Sequence, residues 1–157
     1  MNKLLVVLLL NLMFGVASAA TFEEYPDSKK TPGDYNTQFN KDKLCSHEVH
    51  TGDFRDVSQS KAKAVYASYG INYADHKNYE LDHFIPLSLG GSNKTTNLWP
   101  EPHHPKHGHG SLDKDKAEWN LLLRVCHNEI TLKDAQKIIT TGWVQYFEKM
   151  PKKKKHK

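Results

Sequence analysis

The sequence YELDHFIPLSLGGSNKTTNLWPEP, residues 79–102, contains most of the information about the fold of this chain. An acidic residue and a histidine, Asp82 and His83, lie inside a first apolar run, and Asn97 begins a second, shorter one. A glycine pair separates the two runs. Two short apolar runs joined through glycine predict a β-hairpin from about residue 79 to residue 99.

Helical patterns surround the predicted hairpin. Apolar residues at helical spacing predict one helix over about 58–69 and another over about 132–149, the latter capped by Thr131 and interrupted by Gly142. A third helix is predicted over about 112–126, with an apolar stripe formed by Trp119, Leu122, Leu123 and Cys126. A hairpin packed among helices predicts the fold class α+β.

The chain divides into four segments. Residues 1–19 combine a lysine, an apolar core and a small-residue cleavage site, which is the pattern of a secretory signal peptide. Residues 20–40 predict an extended lead-in with little core, residues 41–150 a folded domain, and residues 151–157 a basic disordered tail. No later segment is apolar for long enough to span a membrane, so we expect a secreted or periplasmic protein without a membrane anchor.

Cysteine count and charge add two constraints. The chain contains two cysteines, Cys45 and Cys126, and an even count in an exported protein favours a disulfide bond between them. Two free thiols are the alternative. The formal net charge of +4 is compatible with a polyanionic partner but does not require one. Nothing in the sequence predicts a protein partner.

The residues of the hairpin suit the hydrolysis of a phosphodiester bond. That reaction needs a nucleophilic water, neutralised charge in the transition state and a stabilised leaving oxygen, and a divalent metal serves the last two. Asp82 offers the oxygen ligand that Mg²⁺ and Mn²⁺ prefer, His83 is a candidate general base, and Asn97 is expected to hold the loop. Because side chains alternate along a strand, a bulge or strand end has to bring Asp82 and His83 to one site.

The motif LDHFIPLSLGGSN…NLW resembles that of the HNH endonucleases, which have the ββα-metal fold. The longer pattern ELDHFIPLSLGGS…NLWPEP is similar to sequences of an exported bacterial family of HNH-nuclease-like proteins. The same family resembles this chain in the segment before the pattern, TPGDYNTQFNKDKLC, and in two segments after it, KDKAEWNLLLRVC and ITLKDAQKIITTGW. The resemblance extends over residues 31–146. It implies a hairpin-plus-helix core with further helices around it, His83 as general base, Asp82 as metal ligand and Asn97 as the brace of the catalytic loop.

The resemblance also implies a further metal ligand after the hairpin. His104 is the favoured candidate because it lies seven residues past Asn97, where the pattern brings its final ligand back, and because prolines restrict the backbone on both sides. Asp115 is the second candidate and His107 the third, while Glu118 shares a helical face with Asp115. The expected ion is Mg²⁺ or Mn²⁺, with Zn²⁺ as an alternative.

The expected substrate is DNA, with RNA as an open alternative. Arg55, Lys94 and Lys114 are candidate phosphate contacts, and the five lysines of the tail would either add more or form a solvated segment without a role. Nothing resembles a helix that reads bases, so contacts to the backbone and low sequence specificity are expected.

Two other hypotheses remain open at this point. One is a non-catalytic exported module that binds polyanions through its basic surface and transition metals through the four histidines of residues 103–109. The other is an HNH-like fold that has lost activity. The presence of Asp82, His83 and Asn97 together argues against that loss.

Overall fold

The protein has an α+β architecture in which two short strands are followed by three helices. The computed structural model describes residues 24–46, 50–105 and 108–151, so the predicted signal peptide, His107 and the lysines of the tail lie outside the described residues. The elements in chain order are α1 (Lys41–Leu44), α2 (Gln59–Ser68), β1 (Tyr79–His83), β2 (Leu98–Pro102), α3 (Ser111–Cys126), α4 (Leu132–Thr141) and α5 (Trp143–Lys149). Short 3₁₀ turns lie at Thr51–Phe54, Tyr73–Asn78, Leu87–Leu89 and Thr95–Asn97. The predicted α+β class is confirmed.

The predicted hairpin is an antiparallel pair of β1 and β2. Asp82 lies opposite Trp99, and His83 lies opposite Leu98. The connection is wide, because residues 84–97 form a loop that contains two of the 3₁₀ turns. Every residue of β2 is buried, so this strand forms the inner side of the pair.

The glycine pair allows this loop to fold back onto the end of β1. Gly90 has φ of +81°, a left-handed conformation that side chains disfavour. A Cβ atom at Gly91 would lie 1.7 Å from the carbonyl oxygen of Ile85, so only glycine fits there. The Gly91 N–H donates to the carbonyl oxygen of Pro86 at 2.8 Å. Sequence and loop geometry therefore agree at both positions.

The apolar core lies between α3, α4 and α5. Helix α3 contributes Ala117, Leu121 and Val125, and the other two helices contribute residues that include Ile139 and Trp143. The predicted stripe on α3 is wrong, because Trp119 is 62% exposed whereas the buried face runs through Lys114 and Ala117. Counting apolar residues overlooked a buried face that includes a lysine and an alanine.

Caps and one glycine set the ends of the helices. The Ser58 side chain accepts a hydrogen bond at the start of α2, and Thr131 forms a capping box with Asp134 at the start of α4. The predicted long C-terminal helix is two helices, because α4 ends at Thr141, Gly142 caps it, and α5 begins at Trp143. Apart from proline, glycine is the weakest helix former, which explains an interruption at this position.

Cys45 and Cys126 form a disulfide bond, as predicted. The bond joins the end of α1 to the end of α3 across a sequence separation of 81 residues. In the chain-entropy model, closing a loop of this length stabilises the folded state by roughly 4–5 kcal/mol. It ties the N-terminal part of the chain to the helical core.

The lead-in contacts the hairpin more closely than the sequence predicted. Thr31 is buried and donates a hydrogen bond to the carbonyl oxygen of Leu98 at 2.9 Å. Tyr35 forms an isolated bridge with Gly91, and the indole N–H of Trp143 donates to the carbonyl oxygen of Glu24. Within the described ranges, no helix is long and apolar enough to cross a membrane.

Candidate active site

A pocket of about 340 Å³ lies where the end of β1 meets the first turns of α3. Its walls come from three parts of the chain, and the lining side chains that are ionisable or aromatic are Arg55, Glu80, Asp82, His83, Asp115, Glu118 and Trp119. Asp82 and His83 are adjacent in β1, yet both line the pocket. The strand ends at His83, and this end, instead of a bulge, lets two neighbouring residues serve one cavity.

Asn97 holds the loop that follows His83. Its side chain is fully buried, and its Oδ1 accepts a hydrogen bond from the Ile85 N–H at 2.9 Å. Its Nδ2 donates to the carbonyl oxygens of Ile85 and Ser92, each at 2.9 Å. The donor and the acceptor of the Asn97 side-chain amide are thus both hydrogen-bonded to the loop. These bonds hold Ile85, at the start of the loop, close to Ser92 and Asn97, near its end.

Asn93 determines which nitrogen of His83 carries the proton. The Asn93 Nδ2 donates to the carbonyl oxygen of Phe54 at 2.6 Å, which turns its Oδ1 toward the imidazole. That oxygen lies 2.9 Å from the Nε2 of His83 and accepts only if Nε2 is protonated. The neutral ring therefore keeps its lone pair on Nδ1, and Nδ1 is buried without a hydrogen-bond partner among the described residues.

Burial lowers the pKa of His83 below its ordinary value of 6.5. The hydrogen bond to Asn93 and the charge of Asp82 oppose this change without cancelling it. The ring is consequently neutral at neutral pH and has the free lone pair that a general base needs.

Lys114 is a buried cation at the centre of three acidic side chains. Its Nζ donates to Asp82 Oδ2 and to Glu118 Oε1, each at 2.6 Å, and to the carbonyl oxygen of His83 at 3.1 Å. Glu101 Oε2 lies 3.6 Å away. The side chain extends from α3 to the end of β1, so it links the helix to both strands and to the backbone of His83.

The three acids differ in charge because they share one cation. Burial is the largest single influence on Asp82 and would raise its pKa, but the charge of Lys114 together with hydrogen bonds from Glu101, Lys114 and the His83 backbone lowers that pKa to about 2. Burial raises the pKa of Glu118 to about 7 and raises that of Glu101 well above its ordinary value. The cluster therefore contains an ion pair of Lys114 and Asp82 beside two glutamates, Glu101 and Glu118, whose pKa values are raised.

The donor chemistry of the pocket suits a hard divalent cation. Glu80, Asp82, Asp115 and Glu118 line it, and carboxylate oxygens are the ligands that Mg²⁺ and Mn²⁺ prefer. Burial, followed by the charge of Asp82, raises the pKa values of Glu80 and Asp115. A divalent cation would relieve this crowding of negative charge. In the described ranges, no three His, Cys, Asp or Glu side chains are arranged around a common ion position, so the acids do not form a complete coordination shell.

Some of the other predicted site residues line the pocket and others lie outside it. Arg55 is exposed, lines the pocket and donates from its guanidinium to the carbonyl oxygen of Leu81 at 3.3 Å. His104 is exposed in the loop after β2 and is not among the residues that line the pocket, whereas Asp115 is. Lys94 is exposed and pairs with Asp34 at 3.1 Å.

Lys114 requires a correction. The sequence suggested a phosphate contact, but the side chain is 0% exposed and its ammonium is occupied by protein oxygens. A nucleic acid backbone outside the pocket has no access to it.

Two residues of the site were missed by reasoning from the sequence. Asn93 was not considered as a site residue, although it follows His83 by ten residues, on the far side of the predicted turn. Glu101 was not considered, although it lies opposite Glu80 in the strand pair. The spacing of Lys114 and Glu118, i and i+4 on a helix, was the available signal for their ion pair.

No known family model, curated protein or solved structure matches this chain. The site is therefore interpreted from its own geometry.

Proposed function

We propose that this protein is a metal-dependent endonuclease of the HNH type that hydrolyses phosphodiester bonds of DNA, and of RNA as an alternative substrate, with low sequence specificity. The observation that carries the proposal is the state of His83, a histidine at a pocket rich in carboxylates whose buried Nδ1 has no hydrogen-bond partner among the described residues. The order β1, β2, α3 also supports a ββα-metal core. A disulfide bond supports export to an oxidising compartment, outside the cell or in the periplasm.

Each part of the pocket has a role in this proposal. His83 accepts a proton from the attacking water, and Asn93 keeps the ring in the required tautomer. Asp82 and Asp115 would hold Mg²⁺ or Mn²⁺, which supplies charge neutralisation at the phosphate when bound. Arg55, which lines the same pocket, offers a guanidinium to a neighbouring phosphate. Asp115 replaces His104 as our preferred second ligand because it lines the pocket.

A plasmid-nicking assay tests the proposal. The wild-type protein should cleave with Mg²⁺ or Mn²⁺ and fail to cleave in EDTA, and His83→Ala should reduce cleavage by about 10²–10⁴-fold, the usual contribution of a general base. The matched control is His127→Ala, because His127 is exposed at the end of α3, outside the pocket. Binding of DNA without cleavage under any metal condition would favour the non-catalytic polyanion-binding module instead.

A further inference from the structure

Trp119 is the exposed aromatic side chain at the pocket. It is 62% exposed, whereas Trp99 and Trp143 are only 2% and 1% exposed. Among the residues that the structure describes, its ring has no hydrogen-bond, aromatic or cation–π partner. An indole left in solvent at the edge of a cavity offers an apolar surface that nothing in the fold uses.

The position of Trp119 connects this surface to the chemistry of the pocket. It lies one helical turn after Asp115 on α3, so the two side chains share a helix face. Both line the cavity that contains His83 and Arg55. A ligand whose charged part contacts His83 and Arg55 would therefore have an aromatic platform next to it.

We propose that Trp119 stacks against a nucleobase of an unpaired nucleotide, so that the preferred substrate is single-stranded nucleic acid or a locally opened duplex. The inference rests on the proposed nuclease function and names its substrate class. Bases in a closed duplex are stacked on one another and have no free face for an indole, whereas bases of a single strand offer one. The phosphate of the same strand would then lie toward Arg55 and His83.

The surroundings of Trp119 favour a nucleobase over a protein surface. Its neighbours on the outer side of α3 include the exposed charged residues Asp115 and Lys116. Among the described residues, the other exposed large hydrophobic side chains are Tyr35, in the lead-in, and Leu112, two turns away on α3. A protein interface needs a contiguous apolar centre, whereas one isolated ring among charges suits one flat base flanked by phosphates.

Binding and cleavage of matched oligonucleotides test the inference. Fluorescence anisotropy in EDTA measures affinity without cleavage, and cleavage with Mg²⁺ gives kcat and KM for a strand and for its duplex. Trp119→Ala should weaken binding of the single strand and raise its KM by roughly tenfold, the scale of one base–aromatic stack, while kcat changes little. Trp119→Phe should recover most of the affinity. Leu112→Ala is the control, because Leu112 is 54% exposed on the same helix but outside the pocket.

A scan of abasic sites identifies the stacked base. With the wild-type protein, removing one base along the strand should weaken binding mainly at one position, and with Trp119→Ala that position should lose its effect. Equal abasic penalties in both proteins, or unchanged affinity of Trp119→Ala, would overturn the inference. So would a change from dimer to monomer caused by Trp119→Ala with unchanged DNA binding, since that result assigns the ring to a contact between copies.

The two proposals fail in different ways. Cleavage by the wild-type protein together with unchanged KM in Trp119→Ala removes the stacking platform and keeps the nuclease. Binding that depends on Trp119 without cleavage under any metal condition removes the nuclease and keeps a single-strand-binding site.

Discussion

Helix α3 buries two different kinds of side chain along one face. Its first turns bury Lys114 against Asp82 and Glu118, whereas its later turns bury Leu121 and Val125 in the apolar core. Apolar burial is favourable almost wherever close packing is achieved. Buried charge is favourable only while every partner stays in place, and it is often no more stabilising than an apolar replacement. The polar half of α3 is therefore sensitive to single changes and is the half that contacts the candidate site.

The largest loss of stability is expected from Lys114→Met. The Asp82 carboxylate would stay buried without its cation, which costs about 3–5 kcal/mol when one partner of a buried pair is removed. Equilibrium unfolding in urea measures this change in the free energy of unfolding.

The double variant Lys114→Met/Asp82→Asn sharpens the comparison. It removes both charges of the pair, so it should be more stable than Lys114→Met alone. If the double variant instead loses as much free energy of unfolding as the two single variants together, the ion pair is not what holds this half of the helix to the hairpin.

Leu121→Ala tests the apolar half of α3 and should cost about 2–5 kcal/mol through lost burial and a cavity. Cleavage activity per folded molecule should stay close to that of the wild-type protein, because Leu121 belongs to the apolar core and does not line the pocket. A loss of activity comparable to that of His83→Ala in fully folded protein would contradict this separation of the two halves.

Asn93→Ala should reduce kcat by roughly tenfold, since positioning a general base contributes less than the base itself. Nitrogen NMR of the imidazoles provides a readout that a purely structural role would not change. In the wild-type protein His83 should be protonated on Nε2, while His76, whose Nδ1 lies 2.7 Å from the carbonyl oxygen of Tyr73, should be protonated on Nδ1. Asn93→Ala should change the tautomer ratio of His83 alone. Unchanged signals from His83 would refute the role of Asn93.

The smallest effect is expected at His109, just before α3. Its Nδ1 lies 2.9 Å from the Asp113 carboxylate, and its Nε2 lies 3.6 Å from the Glu148 carboxylate. Its backbone N–H donates a hydrogen bond to the Glu24 side chain. Asp113 also forms an ion pair with Lys116. The hydrogen bond to Asp113 raises the pKa of His109 above 6.5 despite partial burial. The protonated ring therefore adds stability that is fully present below the unfolded-state pKa and is lost as the pH rises through the folded-state pKa.

His109→Gln should accordingly lower Tm by a few degrees at pH 5.5 and by much less at pH 9. Thermal unfolding at the two pH values measures the difference. An equal change in Tm at both would mean that packing against neighbouring rings, and not the charge, is what His109 contributes.

Local chemistry made much of the fold predictable. The serine before α2 and the capping box at Thr131 mark helix starts because they satisfy free N–H groups within one turn. The strands of the hairpin follow from apolar runs on either side of the glycine pair, and Asp82, His83 and Asn97 were found because they lie inside those runs.

The wrong predictions concern side chains whose positions depend on contacts between distant segments of the chain. Trp119 was expected in the core because it is apolar, yet the face of α3 that meets β1 is set by Lys114 and its acidic partners. His104 was favoured from its spacing to Asn97, yet Asp115 is the candidate that lines the pocket. Spacing along the chain does not give the direction in which a loop leaves a strand.

The sequence by itself determined the hairpin and most of the helical segments, the α+β class, the disulfide pairing and the three residues at the centre of the candidate site. Those features depend on side-chain periodicity, caps, the number of cysteines and one short motif, which are local or countable. Only the tertiary structure decided that Lys114 is buried among Asp82, Glu101 and Glu118, that Asn93 sets the tautomer of His83, and that Trp119 faces solvent. These depend on which charges and hydrogen-bonding groups of distant segments meet, because a buried polar group is tolerated only where its partners converge.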